Sequence, residues 1–288
     1  KDGSAFEMKE VKIRGEKSQG MICAEDELGL SDDHGGIMVL DEEIYQVGEP
    51  FAKYFNLTND EVYEIGLTPN RTDAMSHYGV ARDLHAFLST NGLKSEFEKV
   101  STALVSAEGE HGFELEVEDD ALCPRYIGAV IENVKISESP EWLKDRLKAI
   151  GLSPINNVVD ITNYILHGFG QPLHAFDADK IAGKKVKVGV NDAGTKFVTL
   201  DGVERTLNGS EIMIKDGNNK PMCIGGVFGG NDSGVSESTT TIFLESAYFN
   251  PVAIRKAAKA HGLNTDACFR FYRVVDRKST RTTITRAI

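Results

Sequence analysis

The sequence predicts an α+β protein, and two observations support that fold class. Several short apolar runs lie close together after residue 184 and are separated by Asp-Gly or Asn-Gly pairs, which is typical of strands joined by tight turns. Other stretches carry apolar residues at 3.6-residue spacing between capping residues and glycine stops, which is typical of amphipathic helices. A chain that combines both kinds of segment is predicted to be α+β.

The composition of the chain bounds its class. With 288 residues, 41% of them hydrophobic, the chain is long enough for one large domain, or for one main domain with satellites. Lys and Arg total 32 against 44 Asp and Glu, a net charge of -12, so any RNA contact needs a local basic patch rather than the overall field. No run of about 18 apolar residues occurs, so no membrane span is expected.

The cysteines and the start of the chain support two further expectations. The cysteines show no CxxC pairing, which favours reduced cytosolic thiols over a structural zinc site. No signal peptide is recognisable and the chain starts at Lys1 rather than Met, so we expect a piece of a longer protein. The four cysteines are Cys23, Cys123, Cys223 and Cys268.

The N-terminal part is predicted to contain terminal strands and then a small α+β unit. Apolar residues alternate in two stretches around residues 1–28, which predicts strands of a domain whose beginning is missing. A turn at residues 47–50 follows, and then a helix after residues 68–73 that stops at Asn91-Gly92. Residues 96–120 are acidic, contain one predicted strand and mark a predicted domain boundary. The apolar face of the helix carries Val80, Leu84, Phe87 and Leu88.

From Cys123 onward the predicted elements are denser. Residues 126–134 are predicted to be a strand, and a helix follows with Ser139 as its N-cap and Pro140 in its first turn. A last helix is predicted from the Asn250-Pro251 pair to a stop at Gly262. The predicted core face of the first of these helices is Trp142, Leu143, Leu147 and Ile150. The predicted strands between the helices are residues 185–190, 196–200, 212–215, 222–227 and 241–244, with turns at Asp201-Gly202, Asn208-Gly209 and Asp216-Gly217.

Residues 151–177 combine a helix, a sharp turn and several polar side chains. The Asn156-Asn157 pair supplies N-cap chemistry, Gly168 and Gly170 end the helix, and Gln171-Pro172 forces an extended exit. An ordinary capped helix and loop explains the same residues, so residue types alone leave a functional and a structural interpretation open. The predicted buried stripe is Val158, Ile161, Thr162 and Ile165, whereas Asp160, Asn163 and His167 are predicted on the other face.

Several further features are candidates for chemistry, and each has a structural alternative. The glycine-rich residues 225–230 would let a ligand approach backbone N–H groups, although the stretch is neither a GxGxxG before a helix nor a P-loop. Glu245 follows an apolar run, where a carboxylate costs free energy unless it is paired or functional. His174 and Thr265-Asp266-Ala267 complete the set. The structural alternatives are a strand ending in tight turns for residues 225–230 and a solvent-facing carboxylate for Glu245. For His174 the alternative is a satisfied loop or core histidine, and for residues 265–267 an ordinary loop.

Known signatures of metal sites and covalent nucleophiles are missing from the sequence. No HExxH or paired-His spacing occurs, so a metal site is not predicted. No GxSxG or Cys-His signature occurs either, so a covalent nucleophile is not predicted.

Longer motifs along nearly the whole chain indicate a family. In the N-terminal part they are VKIRGEKSQGMICAEDELGL (11–30) and TPNRTDAMSHYGVARDL (68–84). Further on they are CPRYIGAVI (123–131), SPEWLKDRL (139–147), INNVVDITNYIL (155–166), GQPLHAFD (170–177), TLDG (199–202), GGVFGGNDSGVSESTTTIFLES (225–246) and AKAHGLNTDA (258–267). In these motifs and their order, the chain closely resembles the β subunit of bacterial phenylalanyl-tRNA synthetase.

The resemblance implies a domain organisation. Residues 1–28 are similar to the end of the tRNA-binding OB-fold domain, and residues 29–117 to a small α+β linking domain. Residues 118–272 look like the larger, mixed α/β B3/B4 editing module, and residues 273–288 like the start of the following segment.

The resemblance also implies a function that is divided between two subunits. In this family the α subunit makes Phe-tRNA from phenylalanine, tRNA and ATP with magnesium, in a cytoplasmic α2β2 heterotetramer. The B3/B4 module of the β subunit hydrolyses mischarged Tyr-tRNA(Phe). We therefore expect this chain to hold the editing site and not the aminoacylation site, with no cofactor or metal of its own and no membrane contact. A non-catalytic scaffold that docks tRNA(Phe) is the alternative.

The site residues follow from the resemblance by position. It implies catalytic roles for Asn163, His174 and Glu245, with Asn163 and His174 holding the 3′ adenosine end or a water. Glu245, with His174, would accept or organise the tyrosine hydroxyl. The remaining residues implied to form the substrate pocket are Pro172, Gly229, Thr265 and Ala267.

Three departures from the family pattern stand out. The first part of the OB domain is missing, and the chain ends at Ile288, before the family's further domains. The family's RFERGVDP motif appears as residues 270–277, with Tyr272, Val274 and Arg277 where the family has Glu, Gly and Pro.

Overall fold

The fold is described from a computed structural model, in which the chain forms two compact units, Lys1–Glu61 and Val62–Ile288. The domain boundaries expected after residues 28, 117 and 272 stay predictions. The structure describes residues 9–30, 35–54, 61–99, 109 and 112–288.

The described residues contain twelve strands and six helices, which confirms the α+β class. The helices are α1 His77–Thr90, α2 Glu141–Ala149, α3 Asn157–Phe169, α4 Pro251–His261, α5 Asp266–Tyr272 and α6 Ser279–Ala287. The strands are β1 Val11–Ile13, β2 Glu16–Ser18, β3 Glu114–Val117, β4 Arg125–Ile131, β5 Leu173–Asp177, β6 Lys185–Gly189, β7 Lys196–Val198, β8 Glu204–Thr206, β9 Met213–Lys215, β10 Pro221–Ile224, β11 Phe228–Gly229 and β12 Ile242–Tyr248. In the part of the chain that the structure describes, no helix is both long and apolar enough to cross a membrane.

The first unit contains one hairpin and little other regular structure among its described residues. Strands β1 and β2 pair antiparallel, with Val11 opposite Ser18. The strand predicted in the second N-terminal stretch, residues 20–30, does not form, so that prediction is wrong. The stretch instead contains a 3₁₀ turn at Asp26–Leu28, which Gly29 ends in the left-handed conformation. The turn predicted at residues 47–50 is confirmed. Residues 1–8 of the predicted strands lie outside the described residues.

A three-stranded antiparallel sheet lies at the centre of the second unit. Its order is β4-β12-β5, so the seven-residue β12 pairs on both sides. Phe243, Glu245 and Ala247 alternate along β12 and project from one face, whereas Ile242 and Leu244 project from the other. Every residue of β12 except Tyr248 is buried, which explains why its sequence is almost continuously apolar.

A five-stranded sheet packs against this centre. Its order is β11-β10-β9-β6-β3, and β3 runs parallel to β6 while the other pairs are antiparallel. The main core lies between the two sheets and includes Phe176 and Phe243 from one and Val186, Ile214 and Ile224 from the other. The predicted strands are confirmed, but β8, which pairs with β7, and the two-residue β11 were not predicted.

The opposite face of the three-stranded sheet is covered by helices. Ile242 and Leu244 pack there with Val158 of α3, Ala175 of β5 and Ile284 of α6 in a second, smaller core. The segment after residue 272 therefore packs on the same sheet that carries the predicted site.

Local capping explains where α3 and α4 begin and end. Asn156 accepts hydrogen bonds from the backbone N–H groups of residues 158 and 159, and Asn250 does the same for residues 252 and 253. Gly170 and Gly262 end the two helices in the left-handed conformation, which costs glycine no steric strain. The predicted starts of both helices and their ends at Gly170 and Gly262 are confirmed, but Gly168 lies inside α3 and does not end it. The prediction that α4 is the last helix is wrong, because α5 and α6 follow it. The predicted α1 is confirmed too, but Leu84 and Phe87 on its apolar face are exposed.

Three predictions around α2 and α3 are wrong. Ser139 does not cap α2, because its hydroxyl donates to Asp160 Oδ2 at 2.5 Å and Pro140 occupies the cap position. Asp160 is fully buried rather than surface-facing, since it also accepts from the backbone N–H of Ile155. Trp142 is 57% exposed and contacts Tyr164 edge-on rather than lying in the core.

The three residues that depart from the family motif in residues 270–277 lie in different structural settings. Val274 adopts a positive φ of 78°, a conformation that β-branched residues rarely take. Tyr272 packs edge-on against Phe269, and Arg277 Nη2 donates to the backbone carbonyl of Pro124.

Candidate functional site

A cavity of about 290 Å³ opens between α3, β5, β12, the glycine-rich loop and α5. Its apolar wall includes Leu166, Val227 and Phe271, from three different elements. All seven positions that the family resemblance marks line this cavity, although they span about a hundred residues of sequence. They are Asn163, Pro172, His174, Gly229, Glu245, Thr265 and Ala267.

Glu245 and His174 are direct cross-strand neighbours. Glu245 on β12 pairs with His174 on β5 and, on its other side, with Gly128 on β4. Directly paired residues point to the same face of a sheet, so the carboxylate and the imidazole enter the cavity side by side. Glycine is needed at position 128, because a Cβ there would lie 2.2 Å from Cζ of Phe243.

The Glu245 carboxylate is buried, with only 4% of the residue exposed. Tyr126 Oη donates to its Oε2 at 2.6 Å, and no other donor reaches the side chain from the described residues. Burial raises the pKa of Glu245 to about 7, and the Tyr126 hydrogen bond opposes that rise. The group is therefore divided between its two protonation states near neutral pH, with Oε1 left without a donor from the described chain.

His174 is an uncharged imidazole at neutral pH. Burial lowers its pKa to about 4, and its ring packs edge-on against Phe176 with the centroids 4.5 Å apart. The described residues offer its ring nitrogens no hydrogen bond, so both nitrogens are available to a ligand. A group with this pKa is a weak general base at pH 7, which favours a role in orienting a bound molecule or water.

The glycine-rich loop passes close to His174. An added Cβ at Gly229 would lie 2.9 Å from His174 Cε1 and 2.8 Å from Leu200 Cδ1. At Gly226, where φ is 68°, an added Cβ would lie 2.8 Å from Phe271 Cδ2. These glycines therefore let the backbone form the cavity wall where any side chain would fill it.

Thr265 and Ala267 belong to the start of α5. The Thr265 hydroxyl donates to the carbonyl of Val227 at 3.0 Å and accepts from the N–H of Cys268 at 3.1 Å. Thr265 thus caps α5 and ties it to the glycine-rich loop with the same oxygen. Ala267, in the first turn of α5, presents only a methyl group to the cavity.

Pro172 and Asn163 line the side of the cavity next to α3. Pro172 is buried, and the neighbouring Gln171 fixes the start of β5 by donating to the carbonyl of Ala247 at 2.9 Å. Ser279 of α6 donates in turn to Gln171 Oε1. The amide of Asn163 makes no hydrogen bond with the described residues, so it is available to a ligand.

The chemistry of the cavity is that of a binding site with oriented polar groups. Burial raises the pKa of the Cys223 thiol in its wall well above the ordinary value, which keeps the sulfur protonated and a poor nucleophile. Within the described ranges, no group of three or more His, Cys, Asp or Glu side chains is placed to hold a metal ion.

Reasoning from the sequence missed Tyr126 as part of the site. It lies 119 residues before its partner Glu245, in a segment that predicts only a strand. No local spacing links the two residues, because the contact depends on the pairing of β4 with β12.

Comparisons with known proteins add family information. The B3/4 domain family model matches residues 122–288. Phenylalanine–tRNA ligase beta subunits from Bacteroides fragilis and Porphyromonas gingivalis are 54% and 52% identical over 94% and 98% of this chain. That of Salinibacter ruber is 50% identical over 92% of it. The chain spans about a third of the length of these relatives, namely 33%, 34% and 32%.

One solved structure is also similar to the chain. It is an N-terminal fragment of the phenylalanyl-tRNA synthetase beta subunit from Pyrococcus horikoshii, with a TM-score of 0.39 and 15% identity. The match covers 67% of this chain and 58% of that one.

Proposed function

The chain belongs to the B3/4 domain family, and from that premise we propose that it hydrolyses Tyr-tRNA(Phe) as the editing module of a phenylalanine–tRNA ligase β subunit. The observation that carries the proposal is the pair of the buried Glu245 and its cross-strand neighbour His174, side by side in an otherwise mainly apolar cavity. The volume of about 290 Å³ suits a small group such as one amino-acid side chain.

Tyrosine and phenylalanine differ by one hydroxyl, which Glu245 detects in this proposal. Oε1 of Glu245 has no donor from the described chain and accepts the tyrosine hydroxyl in a charge-assisted bond when the carboxylate is ionised. With phenylalanine bound, Oε1 of that carboxylate is desolvated and left without a donor, which costs about 1–3 kcal/mol. The difference favours Tyr-tRNA(Phe) over Phe-tRNA(Phe) by roughly tenfold to a hundredfold.

Hydrolysis then needs a positioned water and little else. An aminoacyl ester is already activated, so orientation of water and stabilisation of the developing oxyanion can suffice without a metal or covalent nucleophile. In this proposal, His174, neutral at pH 7, and Asn163, with its free amide, orient the water or the 3′ adenosine end from the cavity wall. Gly226 and Gly229 of the glycine-rich loop line the same cavity, where their backbone allows close approach of the ester.

The proposal includes partners for the whole enzyme. Phe-tRNA synthesis, with its ATP and magnesium, is assigned to an α subunit, and the β subunit contributes editing and tRNA(Phe) binding in a cytoplasmic α2β2 assembly. The module itself needs no cofactor in this scheme.

The test uses the complete synthetase that contains this chain. Glu245→Ala should slow Tyr-tRNA(Phe) deacylation by at least about tenfold, while Phe-tRNA synthesis stays nearly unchanged. Glu237→Ala is the matched control, because Glu237 is an exposed residue shortly before the same strand. If the complete enzyme deacylates Tyr-tRNA(Phe) equally well with either substitution, the module only docks tRNA and the proposed function is wrong.

A further inference from the structure

Tyr126 and Glu245 form a buried contact that the proposed mechanism does not yet use. Tyr126 lies on β4, opposite Ala247 and two residues before Gly128, the partner of Glu245. The two side chains therefore project from the same sheet face, and Tyr126 Oη reaches Glu245 Oε2 at 2.6 Å. Tyr126 is only 9% exposed and does not line the cavity, so it acts on a ligand only through Glu245.

The position of the Tyr126 hydroxyl is fixed by packing. Its ring belongs to the main core and lies edge-on to Phe249, with the centroids 6.4 Å apart. The ring of Phe243 fills the space above Gly128, two residues along β4 from Tyr126. A donor held this firmly loses little entropy when it makes its hydrogen bond, so it defines the orientation of the carboxylate.

Among the described residues, no positive charge lies near Glu245 that could replace this donor. The titratable groups that face it are His174 on β5, Cys223 on β10 and Cys123 just before β4, besides Tyr126 itself. Burial lowers the pKa of His174 to about 4 and raises that of Cys123 to about 12, so both are uncharged near neutral pH. Burial also keeps the Cys223 thiol protonated. The ionised form of Glu245 thus depends on the Tyr126 hydroxyl.

We propose that Tyr126 is a positioning residue for substrate discrimination, which occupies Oε2 of Glu245 and so presents Oε1 as the acceptor for the hydroxyl of a tyrosyl group. The inference rests on the proposed editing function and extends it to a residue outside the cavity. Without the Tyr126 hydroxyl, Glu245 can rotate and holds its proton to higher pH. A protonated, freely rotating carboxyl group discriminates poorly between tyrosyl and phenylalanyl groups, because it can donate as well as accept.

The experiment compares Tyr126→Phe with Tyr248→Phe in the complete synthetase. Both substitutions remove one hydroxyl from the same sheet and keep the ring, but Tyr248 lies at the end of β12 and contacts Arg277 rather than the site. The readouts are kcat/KM for deacylation of Tyr-tRNA(Phe) and Phe-tRNA(Phe) across a pH series, together with Phe-tRNA synthesis. Tyr126→Phe should lower the ratio of kcat/KM for Tyr-tRNA(Phe) to that for Phe-tRNA(Phe), the Tyr/Phe ratio, by about tenfold. The pH at which this ratio is half-maximal should rise by about one unit or more. Tyr248→Phe should change neither.

A double variant separates positioning from a general loss of structure. In a Glu245→Ala background, Tyr126→Phe should have no further effect on the Tyr/Phe ratio, because it acts only through that carboxylate. An unchanged ratio and pH midpoint in Tyr126→Phe, or an equal loss in both backgrounds, would overturn the inference. If Glu245→Ala narrows the ratio and Tyr126→Phe does not, the inference fails and the editing function stands. If neither variant changes the Tyr/Phe ratio, the proposed editing function itself is wrong.

Discussion

The imidazole of His174 lies against the backbone of Gly229, so close that a Cβ at position 229 would be 2.9 Å from Cε1 of the ring. Non-bonded carbon atoms are normally about 3.5–4.0 Å apart, so a side chain at this position must displace the imidazole or the loop. The contact makes one wall of the cavity out of backbone and places the histidine at its edge.

Gly229→Ala should therefore impair editing without impairing synthesis. We expect deacylation of Tyr-tRNA(Phe) to fall by at least about tenfold, since displacement by about 1 Å at a reacting centre can cost a hundredfold. Gly234→Ala is the control, because its Cβ would meet nothing nearer than Leu200 Cδ2 at 3.7 Å. The measurement is deacylation and aminoacylation by both variants of the complete enzyme. Equal deacylation by the two variants would show that the close approach of Gly229 to His174 does not matter for editing.

The pH dependence of discrimination should follow the protonation of Glu245. Its pKa of about 7 means that the carboxylate, which is the stronger acceptor, becomes dominant as the pH rises through neutrality. The ratio of Tyr-tRNA(Phe) to Phe-tRNA(Phe) deacylation should rise severalfold between about pH 6 and pH 8. In Glu245→Gln the ratio should be flat over that range. A wild-type ratio that does not change with pH would contradict the assigned role.

The same buried carboxyl group should affect stability with a defined sign. The pKa of Glu245 in the folded chain, about 7, lies above its ordinary value of 4.5. Its contribution to stability is therefore fully present below pH 4.5 and is lost as the pH rises through 7. Glu245→Gln, which keeps an acceptor for Tyr126, should stabilise the chain at about pH 8 by up to about 3 kcal/mol.

The measurement is the free energy of urea unfolding of the wild type and of Glu245→Gln, at about pH 8 and at about pH 4.5. The stabilisation should shrink to near zero at about pH 4.5. The contribution of His174 to stability has the opposite pH dependence, since its pKa of about 4 lies below the ordinary 6.5. Because both proteins contain His174, this contribution cancels in the difference between them. A stability difference that is the same at both pH values would contradict the burial-driven pKa.

Val274 should be a local source of strain. It adopts a φ of 78°, and the family motif that residues 270–277 resemble has glycine there. The left-handed conformation costs a residue with a Cβ about 1–2 kcal/mol, while glycine adds about 0.4–1 kcal/mol of unfolded-state entropy. Val274 is half exposed, so Val274→Gly loses little burial and should raise the free energy of unfolding by about 1 kcal/mol.

The control for this prediction is Val252→Gly. Val252 is also exposed but lies in the first turn of α4, where glycine should lower stability by about 0.5 kcal/mol. Denaturant unfolding of both variants tests the pair. If Val274→Gly is destabilising like its control, the strain at position 274 is not real.

Elements that depend on local chemistry were predictable from the sequence. The caps at Asn156 and Asn250 and the glycine stops at Gly170 and Gly262 act within one helical turn, so the bounds of α3 and α4 follow from neighbouring residues. Ser139 was misassigned because a distant carboxylate, Asp160, takes the hydroxyl that a local rule gives to the helix N-terminus.

The site was predictable only in part, since most of it depends on contacts that are distant in sequence. Family resemblance marked His174, Gly229 and Glu245, and the fold brings them into one cavity. The Tyr126 hydrogen bond depends on the register of β4 against β12, which no spacing in the sequence reveals. The short β11 escaped prediction because two residues carry no periodicity.

The central claim is that Glu245 recognises the hydroxyl that distinguishes tyrosine from phenylalanine. Its most direct test is the ratio of kcat/KM for Tyr-tRNA(Phe) and Phe-tRNA(Phe) deacylation by the complete enzyme with and without Glu245→Ala. The predicted result is a ratio that falls by about tenfold or more, with Phe-tRNA synthesis nearly intact. A variant that keeps both the full Tyr-tRNA(Phe) deacylation rate and the full ratio would contradict the claim.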